Sequence, residues 1–93
     1  MVRNTDMLRE LIGKLVVVDT ESPYVCLGRL TRIHRLFLEL RDADFHDLRD
    51  TQTSRENYVA ASRSTGIKRN RKRILIARGT VVAISRLEDV VDE

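Results

Sequence analysis

Tryptophan is absent from this 93-residue chain, proline and cysteine occur once each, and the aromatic residues are two Tyr and two Phe. Each scarcity excludes something. A single cysteine makes no internal disulfide, so Cys26 is expected to be a buried strand thiol; no base stands beside it to make it a nucleophile. With one Pro and four Gly against 42% apolar and 33% charged residues, the composition fits a folded soluble domain and not a disordered chain. No apolar run approaches the roughly 20 residues that span a bilayer, and the first residues carry no signal-peptide pattern. No membrane partner and a cytoplasmic location are therefore expected. A Ser/His/Asp or Cys/His arrangement, paired carboxylates in a recognisable context and a glycine-rich phosphate loop are missing too. Their absence argues against an enzyme and against a cofactor.

What is present amounts to one small domain, residues 1–93, with a modest core that a partner subunit would help to stabilise. The chain is organised around its late hydrophobic pair. Ile74-Leu75-Ile76 and Val81-Val82-Ala83-Ile84, separated at Gly79-Thr80, predict two consecutive strands, 73–78 and 81–86. Gly79 supplies backbone freedom at the break and presents Arg78 at the edge of the turn, where a ligand meets it. Nearer the start, Met7, Leu8, Leu11 and Ile12 recur at helical spacing and predict a helix over 5–12, capped by Asn4, Thr5 or Asp6 and closed by Gly13. Strands over 14–20, 24–33 and 36–41 then form a meander, joined by a turn at Pro23 and a tight His34-Arg35 connection. In the third, Leu36, Leu38 and Leu40 are expected to face in and Phe37, Glu39 and Arg41 out. Gly28, in mid-strand, predicts a sharp bend or the close approach of another backbone.

Residues 42–70 differ in character. They open with Asp42, Asp44, Asp47 and Asp50, then offer Thr53 and Glu56 as a capping box for a helix over 54–63 closed by Gly66. Tyr58, Val59 and Ala61 are too few to anchor that helix firmly, so 44–70 reads as an enlarged loop between the third and fourth strands. Continued alternation would put Asp42, Asp44 and His46 on one side, but no hard-cation loop signature is present. The segment is read as a solvated acidic loop without metal. Lys68, Arg69, Arg71, Lys72 and Arg73 follow, five cations in six residues, and lead into the fourth strand. The plan is mainly β within an α+β arrangement: an N-terminal helix, then a strongly bent five-stranded antiparallel sheet curled into a small barrel.

These residues resemble the Sm and Sm-like (LSm) family of the bacterial or archaeal type. Ile74 to Ile76, Ala77-Arg78-Gly79, Thr80-Val81 and Val82 to Ile84 fit its second motif, with Ala77 where the family prefers a larger apolar residue. The first motif is represented by 15–18, by Gly28 and Leu30, and by 36–40. Members usually carry an Asp, a short aromatic or Met, and an Asn between strands two and three; here the Asp position is His34, the loop is one residue shorter and there is no Asn. The resemblance implies a non-catalytic ring of six or seven copies, built by pairing strand four of one subunit with strand five of the next, that binds single-stranded RNA at its pore. It gives Arg78 and Gly79 to the RNA site and the stacking role to His34 or Phe37. Lys68, Arg69, Arg71, Lys72 and Arg73 would then neutralise phosphates. Opposed to this stands a self-assembling scaffold or protein-interaction module without RNA. In that reading Arg78 forms an ion pair with Asp19 or Glu39, and the basic cluster meets acidic segments of neighbours.

Overall fold

Alternation along the second strand builds the sheet in both directions. The computed structural model describes residues 4–50 and 52–91, and in it β2 (Tyr24–Ile33) sends Cys26 and Leu30 to one face and Val25 and Leu27 to the other, all four buried. β1 (Leu15–Thr20) and β3 (Phe37–Asp47) flank it antiparallel; β4 (Arg71–Ala77) pairs with β3, and β5 (Val81–Arg86) with β1. The order is β4-β3-β2-β1-β5. Because β4 and β5 end the order and do not pair with each other, the curled sheet stays open between them. A cleft of about 610 Å³ there is lined by Ile74 and Ile76 of β4 and by the β1–β2 turn.

Both faces carry apolar residues, and a helix packs against part of each. On the first, Val16, Val18, Cys26, Leu30, Leu38 and Leu40 meet Leu8, in α1 (Asn4–Arg9), and Leu11, in the turn after it. On the second, Val17, Val25, Leu27 and Leu87 meet Val59 of α2 (Arg55–Thr65). Burial pushes the Cys26 thiol up to about 12, with help from the Asp44 charge, so it stays protonated and unreactive.

The bend is located at Gly28. A Cβ built there would stand 2.8 Å from the Ala43 Cβ and 3.1 Å from the Arg41 carbonyl oxygen, so β3 presses against bare backbone, as the glycine's position in mid-strand leads one to expect. One register shift, between Leu27 and Arg29, falls at the same point, and a second follows between Leu30 and Arg32. Gly28→Ala is therefore expected to cost about 1–3 kcal/mol by overpacking. A thermal midpoint equal to the parent's would show that β3 yields instead.

Several boundaries differ from the sequence-based expectation, each for a local reason. The helix predicted over 5–12 ends at Arg9; 10–13 continue as turns, with Lys14 N donating to Leu11 O, and Gly13 at φ +87° turns the chain into β1. The side chains of Asn4, Thr5 and Asp6, expected to cap it, lie outside the described ones. Leu36 is exposed and β3 begins at Phe37. That strand runs on to Asp47, so Asp44 is no part of a solvated loop: it is 1% exposed, accepting from Tyr58 Oη and from Asn70 Nδ2 at 3.1 Å. Asn70 also holds Phe45, receiving its N–H at 2.9 Å and donating to its carbonyl at 3.2 Å, so β4 starts as early as Arg71. The cap of α2 is Ser54 and not Thr53, its hydroxyl accepting from Asn57 N. Gly66, at φ +98°, closes the helix by donating to Ser62 O. Val59 and Ala60 are both buried, which anchors α2 better than Tyr58, Val59 and Ala61 promised.

Candidate nucleic-acid interface

Two turns meet at one end of the sheet because β3 and β4 are neighbours. The β2–β3 turn, 34–36, is closed by His34 N donating to Phe37 O at 2.8 Å, and Leu36 N donates to His34 Nδ1 at 3.1 Å, fixing the ring against its own turn. The β4–β5 turn, Arg78–Thr80, is a single 3₁₀ turn in which the Thr80 hydroxyl donates to Ala77 O. Arg78 joins the two turns. Its backbone N–H donates to Leu36 O at 2.9 Å and its Nη1 to His34 O at 3.0 Å.

The half-buried guanidinium is thus aimed across the His34 turn, and the acids that would otherwise claim it are occupied. Asp19 pairs with Arg55 at 2.6 Å, and Glu39 with Arg73 at 2.6 Å. Phe37 stands beside His34 with ring centroids 6.1 Å apart and planes tilted by 36°. Both rings line a depression of about 290 Å³ with Arg32, Glu39, Arg73 and Leu75. Such a hollow offers a planar group two ring faces and a cation. Gly79 plays a different part from the one expected. It is not in the left-handed region, and a Cβ there would meet nothing within 4 Å, so it leaves open space beside Arg78 and no conformational need for glycine.

The five cations of 68–73 do not act as one block. Arg73 faces the hollow, whereas Arg71 lies at the far end of β4, about 23 Å from Arg78 at roughly 3.3 Å per residue. There it sits 5.9 Å from the Phe45 ring centroid and donates to Asn70 O. Arg69 is 3.5 Å from Asp42, an exposed pair of little energetic weight. Lys68 and Lys72 are exposed. Asp42, Asp44 and His46 have partners of their own: Asp42 pairs with Arg69, Asp44 accepts from Tyr58 and Asn70, and His46 stacks on the same Tyr58 at 3.9 Å.

Sequence reasoning missed Glu39. Alternation placed it outward, yet it is 5% exposed, because Thr31 Oγ1 donates to one carboxylate oxygen at 2.7 Å and Arg73 Nε to the other at 2.6 Å. Those two bonds hold its carboxyl down at about 2. A depressed carboxylate adds stability that is present above the unfolded-state value and lost as pH falls through the folded one. The protein is therefore expected to lose thermal stability between about pH 5 and about pH 2, and Glu39→Gln to be less stable at neutral pH with a shallower acid decline. Asp47, also held at about 2 by its hydrogen bonds from Arg49, keeps its share of the slope in that variant. Parallel acid declines for parent and variant would remove Glu39 from the account. The signal for this clamp was the cross-strand register, which a single sequence does not display.

Among the described residues no helix is long and apolar enough to cross a membrane. No protein-family model matches the chain, and no curated protein is similar to it in sequence. Solved structures are similar to it. A Pyrococcus abyssii Sm protein, solved in complex with a uridine heptamer, shares 22% identity and superposes with a TM-score of 0.62, covering 91% of this chain and 99% of its own. An Sm-like protein from Archaeoglobus fulgidus gives 18% and 0.62, over 92% and 96%. The P. aerophilum SmAP1 heptamer gives 20% and 0.61, over 92% and 95%. With its N-terminal helix, its bent five-stranded antiparallel sheet and these likenesses along nearly all its length, the chain has the Sm-like fold.

Proposed function

We propose that the protein is an Sm-like RNA-binding protein that forms a homo-oligomeric ring of six or seven copies and binds single-stranded RNA without catalysis in the cytoplasm. The observation that carries this reading is the junction of the two turns, where Arg78 bridges to His34 beside Phe37. A base stacks on the Arg78 guanidinium beside the His34 turn, Gly79 leaves it room, and Arg73, in the lining of the neighbouring hollow, meets its phosphate. Lys68, Arg69, Arg71 and Lys72 attract the strand along β4 by charge, with no demand on sequence. The unpaired edges of β4 and β5 support assembly, since a sheet edge left open invites pairing with another copy. The likeness to a protein solved with a uridine heptamer and to another solved as a heptamer supports both halves of the proposal.

The test is binding of oligo-U, oligo-A and a mixed RNA at two salt concentrations, with the mass of the protein in solution recorded alongside. Salt-sensitive binding by an assembled ring is expected. A ring that binds none of the three RNAs would favour the scaffold reading, in which the cations pair with carboxylates of neighbours much as Arg69 pairs with Asp42 here.

A further inference from the structure

Residues directly opposite each other on neighbouring strands share a face, and the register of this sheet lines up three arginines. Arg29 of β2 stands opposite Arg41 of β3, and Arg41 opposite Arg73 of β4. Like charges in direct opposition disfavour the sheet, so a row of them calls for an explanation other than stability. All three are exposed, on the face that α2 covers only in part. Glu39 pairs with Arg73 and, at 3.6 Å, with Arg41, whereas Arg29 donates to the Gly13 carbonyl. At strand spacings of about 4.8 Å the row spans about 10 Å.

Each end of the row opens into a hollow. Arg73 lines the one that holds His34 and Phe37. Arg29 lines another, of about 530 Å³, together with Lys14, Arg63 of α2 and Arg86 at the end of β5. Glu88 is the only acid in that lining. It pairs with Arg86, but the Arg86 Nε is buried and finds no acceptor among the described residues. A buried donor without a partner is costly until an acceptor reaches it.

We infer that this row is a track for the phosphodiester backbone of single-stranded RNA, leading from the His34–Phe37 hollow across β4, β3 and β2 to the hollow of Lys14, Arg63 and Arg86. The inference rests on the RNA-binding reading above. Charge complementarity names the occupant: Lys14, Arg29, Arg41, Arg63, Arg73 and Arg86 face two carboxylates, Glu39 and Glu88. Guanidinium groups suit phosphate because their planar forks give two parallel hydrogen bonds. The segment between β3 and β4 thereby gains a purpose, since Arg63 on α2 supplies one wall of the far hollow.

The experiment compares a short RNA of about 6 nucleotides, enough for the His34–Phe37 site, with one several times longer, across a salt series. The proteins are the parent, the double variant Arg29→Gln/Arg63→Gln, and Arg63→Glu alone. The single variant is included because Arg29 also holds the Gly13 turn, whereas Arg63 is exposed in the last turn of α2. Both variants are expected to bind the short RNA as the parent does. For the longer RNA, affinity falls about tenfold in the double variant, and the slope of log affinity against log salt shrinks by about 1.4, or about 0.7 for each of two phosphates released. Arg63→Glu reproduces the length-dependent loss. Variants that bind both lengths like a binding-competent parent would overturn the track and leave the RNA reading intact; equal weakening of both lengths would overturn it too. A parent that binds neither RNA overturns both proposals.

Discussion

Val82→Pro is expected to reduce the mass in solution from that of the proposed ring to that of a single chain. The backbone of β5 explains why so small a change acts so strongly. Its inner edge pairs with β1 through Val81, Ala83, Ile84, Ser85 and Arg86, while Val82 falls at the register shift between Asp19 and Thr20 and has no partner in that ladder. Its side chain is 67% exposed. Proline there removes an N–H and adds a ring to the edge that the next subunit's β4 is proposed to meet, without taking a rung from the ladder to β1. Each lost hydrogen bond is worth about 1 kcal/mol, with steric exclusion of the neighbouring strand added to it. A closed ring repeats the same interface at every subunit, so the losses accumulate to on the order of 6–10 kcal/mol per ring. Val82→Ala keeps the N–H and is expected to stay assembled, and circular dichroism shows whether the proline variant is still folded. A folded Val82→Pro protein that keeps the parent's mass would exclude β5 as the assembling edge.

The parts of this fold that sequence displays are those where local chemistry and tertiary demand agree. β2 and β5 occur over the residues that alternation and turn signals indicate, Tyr24–Ile33 after Pro23 and Val81–Arg86 after Gly79-Thr80. Gly28 announces the approach of β3 because nothing but a missing side chain suits that contact. The end of β3 is hidden for the opposite reason. Aspartates are poor strand residues, and three of them in 42–47 read as loop; what keeps them in the strand is distant, the Tyr58 hydroxyl on α2 and the Asn70 amide before β4, both bonded to Asp44. The start of α2 was misplaced by one residue because Thr53 and Ser54 are chemically interchangeable as caps. The candidate site was legible only in part. Arg78, His34 and Phe37 were identifiable from the motifs, but the bond from Arg78 to the His34 carbonyl, the Glu39 clamp and the arginine row depend on which residues face one another. Register is a property of paired strands, and one strand's sequence does not contain it.

Arg78→Ala is expected to weaken binding of short RNA by about 5- to 150-fold, as the loss of one stacked contact of about 1–3 kcal/mol implies. Two contributions act together. The guanidinium plane is removed from the base, and the Nη1 bond to His34 O is lost, so the β2–β3 turn is no longer tied to the β4–β5 turn by a side chain. The backbone bond from Arg78 N to Leu36 O survives the substitution, and so do the ladders of β4 and β5, which leaves the fold and the assembly edges as they were. Arg78→Lys distinguishes charge from planarity. Lysine keeps the positive charge but offers neither a stacking plane nor a fork, so it is expected to preserve the salt slope of the parent while recovering little of the lost affinity. Full recovery by lysine would mean that Arg78 acts as a point charge toward phosphate. An alanine variant that binds as the parent does, in an assembly of the same mass, would remove Arg78 from the site and leave His34 and Phe37 to carry the base contact without it.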